Sequence, residues 1–179
     1  HCISSAASDV YKRQAYNKRR QSCEAAVAAI QKKHPHVEFL RDCTMDMLEE
    51  AKADISAEDY MRAEYVIEEI QRVLDVCDAL EKDDYETVGQ KMYETHHGMS
   101  KLYEVSCEEL DFLNDCAKEY GVTGSRVMGG GFGGCTINLV KNELYDNFVE
   151  KTKEAFKAKF GRSPKVYDVV IGDGSRRVE

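Results

Sequence analysis

Gly124-Ser125-Arg126-Val127-Met128-Gly129-Gly130-Gly131-Phe132-Gly133-Gly134-Cys135-Thr136-Ile137-Asn138-Leu139-Val140 is the stretch on which the fold turns. Gly124–Met128 and Cys135–Val140 read as two strands, joined by Gly129–Gly134. Glycine loses more backbone freedom on ordering than any other residue, so five in six positions demand a special conformation or a close approach. The loop matches Gly-x-Gly-x-x-Gly through Gly129, Gly131 and Gly134, but a dinucleotide fold places a helix after it, and here a β-branched run follows. The Walker pattern fails because Cys135 stands where its lysine belongs. A protein-kinase glycine loop does lie between strands, yet neither Val-Ala-Ile-Lys nor His-Arg-Asp occurs. What survives is a glycine hairpin whose amides can approach another backbone or a phosphate. A bulged hairpin without a ligand has the same composition.

Upstream, from about Gln14 to Tyr120, the pattern is helical. Cys23, Val27 and Ile30 form one face of a helix that ends near His34-Pro35, where proline forbids continuation. A shorter helix is predicted around Thr44–Ala53, with Met45 and Leu48 inward. Ser56-Ala57-Glu58-Asp59 resembles a capping box. The stripe Tyr60, Ala63, Ile67, Ile70, Leu74, Cys77 and Leu80 then predicts a helix of about seven turns. Asp83–His97 predicts another, with Val88 and Met92 on one face. Ser106-Cys107-Glu108-Glu109 is a capping box, with Val105 and Leu110 as its staple, and Gly121 closes the helix that follows. After the hairpin, Asn142–Phe160 returns to helix, Gly161 stops it, and Lys165–Ile171 is predicted to be a last strand. Helices followed by a small antiparallel sheet with a covering helix define an α+β domain.

Composition narrows the function. The 179 residues carry 25 Lys and Arg against 33 Asp and Glu, a net charge of −8, which repels phosphate backbones. No basic stripe offsets it, so no nucleic-acid partner is expected. No apolar run approaches the roughly 18 residues of a membrane span, so no membrane partner is expected either. Seven cysteines, an odd number without Cys-x-x-Cys spacing, read as reduced thiols, and His34, His36, His96 and His97 lack a zinc pattern. No metal ligand is assigned. The sequence opens at His1 rather than Met, and residues 1–14 show no period. They are read as a non-native or disordered leader, the run Ser4–Gln14 looking like adapter read-through, with the domain proper at 15–179.

The glycine-loop stretch Gly124–Cys135 closely resembles the third conserved motif of the galactokinases, within the GHMP kinase superfamily. Tyr16-Asn17-Lys18-Arg19-Arg20-Gln21-Ser22-Cys23-Glu24, Glu94-Thr95-His96, and Tyr103–Asp111 are similar to the same family in the same order, as is the closing Asp173-Gly174-Ser175-Arg176. The resemblance implies a GHMP kinase C-terminal, ferredoxin-like domain. It also implies ATP-dependent phosphorylation of galactose to galactose 1-phosphate, in the cytoplasm, with ATP and Mg2+ as cofactors of the complete enzyme. By the same resemblance, Tyr16 contacts the sugar. Gly129, Gly130, Gly131, Phe132, Gly133 and Gly134 support the phosphate loop of a partner lobe. The catalytic Asp and Arg, and the serine-rich ATP loop, are expected in an amino-terminal half that this sequence lacks. Galactose and ATP are then bound together with that lobe, and the chain alone is expected to be inactive. Arg126 is expected in a surface ion pair more than at a phosphate, and His96 at a helix end. Arg19 and Arg20, near the expected helix start, call for an acidic partner. Met128 stands where the family has Thr, removing a hydroxyl from the phosphate side; Gly98 replaces Ser and Glu108 replaces Pro. Another sugar-1-kinase of the superfamily, and a non-catalytic galactose sensor or transcriptional partner, share these motifs. A helical interaction module leaves the loop glycines without a purpose.

Overall fold

The computed structural model describes residues 5–170 and 172. Among the described residues, six α-helices and one hairpin follow in the order α1 (Ser5–Ile30), α2 (Met45–Ala51), α3 (Ala57–Glu81), α4 (Tyr85–Lys101), α5 (Glu108–Glu119), β1 (Gly124–Met128), β2 (Cys135–Leu139) and α6 (Tyr145–Phe160). The strands pair antiparallel, with Gly124 opposite Leu139 and Met128 opposite Cys135, so Gly129–Gly134 is the connection. The α+β expectation holds.

α1 starts at Ser5, not after Gln14 as the absence of an apolar period predicted. Ala, Lys, Arg and Gln have high helix propensity, and extending a helix already nucleated costs little. Arg19 and Arg20 are therefore mid-helix. The chain leaves α1 through a turn at 31–33, ahead of Pro35. Ala26, Ile30, Val37, Leu48, Ala63 and Ile67 form the first core, between α1, α2 and α3.

Ser56 caps α3 as expected, its Oγ accepting from the Asp59 amide (3.1 Å). The apolar stripe is only half buried. Ala63 and Ile67 lie in the core, but Leu74, Cys77 and Leu80 are exposed. α3 is about 37 Å long at 1.5 Å per residue, and α1 and α2 cover only its first half. Its second buried face is polar: Arg62, Tyr65, Glu69 and Arg72 turn toward the turn after α4 and toward α4 itself, where Glu69 accepts from Thr95 Oγ1 (3.0 Å).

α5 begins one residue later than its capping box predicted. Cys107 is the N-cap and makes no side-chain cap bond. Ser106 Oγ donates to Asp111 Oδ1 (2.6 Å), a bond strengthened by the charge of its acceptor. Val105 and Leu110 still meet, in a second core with Tyr65, Met99 and Val127.

α4 and α5 cover the hairpin, and α4 lies unusually close. A Cβ on Gly89 would stand 2.0 Å from the Thr123 carbonyl oxygen, and one on Gly124 would stand 2.5 Å from Gly89 Cα. Asn114 Nδ2 donates to Ser125 O (2.8 Å), tying α5 to the same strand. α6 packs on α5 through Phe112, Phe156 and Phe160 and ends at Gly161, a left-handed cap with φ 69°.

The last strand does not form among the described residues. Residues 165–170 form no ladder, and Val166, Tyr167, Val169 and Val170 are exposed. Apolar β-branched residues favour a pleated surface only where a neighbouring strand supplies hydrogen bonds. Among the described residues, the Tyr145 hydroxyl ties the tail to the domain by donating to Asp168. Ile171 and the motif Asp173–Arg176 lie outside the described residues.

Candidate functional site

Tyr16 sits on α1 with more than half its surface exposed (57%), while Arg19, one turn further on, is nine-tenths buried. Arg19 reaches away from its own helix. Its Nε donates to Tyr103 O (2.9 Å) and its Nη2 to Glu104 O (2.6 Å), in the turn between α4 and α5. Its guanidinium also lies over the Phe132 ring, 5.5 Å from the centroid, at the middle of the glycine loop. Phe132 N–H in turn donates to Val105 O (2.6 Å). The helix bearing Tyr16 and the loop thus share one end of the domain. The acidic partners called for by Arg19 and Arg20 are Glu104 (3.6 Å) and Glu24 (2.8 Å).

Beneath them is a residue that periodicity did not single out. Arg62, 4% exposed, donates from Nη1 to Ser22 Oγ and from Nη2 to Glu104 Oε2 (both 3.0 Å), and also pairs with Glu58. Two arginines converge on one half-exposed glutamate. Burial, reinforced by the Arg62 charge, pulls Arg19 below the usual guanidinium range, but a group starting so high stays charged. The signal in the sequence was the spacing Arg62, Tyr65, Glu69, Arg72, a second helical face written in polar residues.

The loop backbone is mostly left-handed: Gly129, Gly131, Phe132, Gly133 and Gly134 all have positive φ. Gly131 is required twice over, since a Cβ there would stand 2.1 Å from Val105 O. Gly130 has neither a positive φ nor any atom within 4 Å of a Cβ position, so a side chain there would meet open space. Met128 and Cys135 flank the loop mouth, both exposed. Arg126 makes no ion pair among the described residues; its Nη1 donates to Val127 O (3.2 Å).

His96 is not at a helix end. α4 runs on to Lys101, and His96 is buried (4% exposed) with Nε2 3.1 Å from Asp111 Oδ1, linking α4 to α5. Its Nδ1 is buried without a partner among the described residues. Burial pulls the His96 pKa below its ordinary value near 6.5, outweighing the Asp111 charge. Burial pushes Asp111 the other way, but bonds from Ser106 and Ser100 with His96 nearby outweigh it and hold the carboxyl low. The stability consequence has a definite sign. The unfolded chain protonates His96 near pH 6.5 while the folded chain does so at lower pH, so acidification below about 6.5 favours unfolding. Asp111 adds stability that is lost only as pH falls through its lowered value, below 3.8. The urea midpoint is expected to be flat between pH 8 and 7 and to decline from pH 6.5 to 5. His96→Gln should flatten that decline, and an unchanged slope in this variant would show that other groups cause it.

A surface depression of about 790 Å³ lies elsewhere. Arg72, Tyr93, Glu94, His97 and Lys118 line it, and neither Tyr16 nor a loop glycine does. It is broad, open and of mixed charge, without a convergent set of polar groups.

The sequence matches the family GHMP kinases C terminal over residues 76–158. It is a homologue of the galactokinases over a C-terminal portion. It is 41% identical to galactokinase of Clostridium beijerinckii over 165 residues, 91% of this chain and 42% of that protein. It is 36% identical to galactokinase of Fusobacterium nucleatum over 166 residues, 92% of this chain and 43% of that protein. The chain therefore spans about two-fifths of the length of these relatives. The crystal structure of Lactococcus lactis galactokinase complexed with galactose superposes with a TM-score of 0.77 at 23% identity, over 91% of this chain and 40% of that one. That likeness concerns the fold.

Proposed function

We propose that residues 15–179 are the C-terminal domain of a galactokinase that phosphorylates galactose at its anomeric hydroxyl, in the cytoplasm. The observation that carries the reading is the contact of Arg19 with Phe132, which brings the helix of Tyr16 and the glycine loop to one end of the domain. In the transfer, the sugar oxygen bonds to the γ-phosphorus as the β–γ bridging bond breaks, ADP leaves, and the hydroxyl proton goes to an acceptor. ATP supplies the transferred phosphoryl group. This chain contributes positioning, the main source of catalysis where little covalent chemistry falls to the protein. The exposed Tyr16 ring covers one face of the sugar and its hydroxyl hydrogen-bonds it. Gly129 and Gly130 leave room for a phosphate to approach the backbone: a Cβ at either position would meet no atom within 4 Å. No group of three or more His, Cys, Asp or Glu suited to a metal gathers among the described residues, and no Mg2+ ligand is assigned to this chain. No described helix is long and apolar enough to cross a membrane.

The test is galactose-dependent ADP formation by the complete gene product, against a panel of hexoses. Galactose is expected to be preferred, and Tyr16→Phe to raise its KM roughly 5- to 10-fold, the loss of one hydrogen bond. Absence of galactose turnover, or a better substrate in the panel, overturns the proposal.

A further inference from the structure

We infer that Arg19 is a positioning residue, which couples the glycine loop to the helix that carries Tyr16 so that the two walls move together. The inference rests on the reading above for what those walls touch, but its geometry is independent of it. A loop with five glycines in six positions has little of its own to hold one shape. Here the loop is fastened at its middle. Phe132 N–H bonds to Val105 O, and Gly131 packs against the same residue at a distance that excludes a Cβ. Val105 is therefore the anchor, and its turn is itself unusual: Glu104 has φ 53°, a conformation that side chains resist. Arg19 holds that turn by both preceding carbonyls, Tyr103 and Glu104. It also lies across the Phe132 ring. Two routes thus run from one buried side chain to the middle of the loop, one through the turn and one direct. A guanidinium suits this place because its planar fork donates two bonds while its face stacks on the aromatic ring. Lysine carries a compact charge with neither a planar fork nor a flat face.

The experiment is residue-resolved amide hydrogen exchange on the full 179-residue chain. In Arg19→Met the Phe132 amide is expected to exchange roughly 10- to 100-fold faster, while amides of Asn114 and Ala117, in the middle of α5, change by less than about threefold. Arg19→Lys, which keeps the charge beside Glu104, is expected to restore the melting temperature but not the protection of Phe132. It carries the test should Arg19→Met fail to fold. Gly131→Ala approaches from the other side, pushing the loop off Val105. Its expected signature is a shift in the Tyr16 and Arg19 amide resonances, with Ala26 and Ala29 of the same helix unmoved. Unchanged Phe132 exchange, a rise shared equally by α5, or still Tyr16 resonances in Gly131→Ala overturns the inference. None of these readouts depends on galactose, so a failure here is separable from failure of the galactokinase reading.

Discussion

Gly89→Ala is expected to cost about 3–5 kcal/mol, although a glycine-to-alanine change inside a helix ordinarily gains about 1 kcal/mol. The inversion comes from what the new methyl group meets. It would stand 2.0 Å from the Thr123 oxygen and 2.5 Å from the Thr123 carbonyl carbon, both backbone atoms that no rotamer change can move. α4 would have to lift from β1, disturbing the strand that leads into the glycine loop. For a domain of this size such a loss lowers the melting temperature by roughly 10–15 °C. Gly98→Ala is the informative contrast. Its Cβ would meet the Tyr65 ring at 2.4 Å, the far part of a side chain that can tilt, so its cost should be visibly smaller. Calorimetry on the two variants checks this, and a Gly89→Ala melting temperature within 3 °C of the parent, on the order of 1 kcal/mol, would mean that α4 does not lie so close to β1.

Arg62 should show the second large effect, with a sign that depends on the replacement. Arg62→Ala removes a buried stem, leaves a cavity, and deprives Ser22 and Glu104 of their donor. Breaking a buried pair costs about 3–5 kcal/mol when the abandoned charge stays buried. Glu104 is half exposed and keeps Arg19 beside it, so about 2–3 kcal/mol is expected here. Arg62→Met fills the same space with apolar atoms and spares the buried Nε, which has no hydrogen-bond partner among the described residues. It should recover most of the loss, since replacing a buried charge by a well-packed hydrophobe is often neutral. Urea denaturation of both variants decides. Equal destabilisation by Ala and Met would show that the ionic contacts, not the packing, hold α1, α3 and the turn together.

Much of this architecture was legible because it is written in short-range chemistry. The capping serine at Ser56, the stop at Gly161 and the paired strands around Gly129–Gly134 each rest on a few neighbouring residues. What stayed hidden depends on partners distant in sequence. Periodicity marks Leu74 and Leu80 as apolar but cannot say that α1 and α2 stop short of them. The β-branched run at 165–170 has the composition of a strand, and composition does not supply a neighbour. At the site, motif resemblance put Tyr16 and the loop on the page, whereas Arg62 was passed over despite its helical spacing, because a charged residue inside a helix ordinarily faces water. Charge demand near Arg19 did point to an acidic partner; that it would be Glu104, 85 positions away, only the fold could say.

Within the loop the six positions are unequal, and the inequality has a practical side. Five are committed by backbone shape or crowding, whereas position 130 is held by neither. A hydroxyl, amine or carboxyl introduced there would project freely, altering local polarity while the hairpin keeps its form. Position 130 is thus a dial on the wall's chemistry, set apart from the residues that fix its shape.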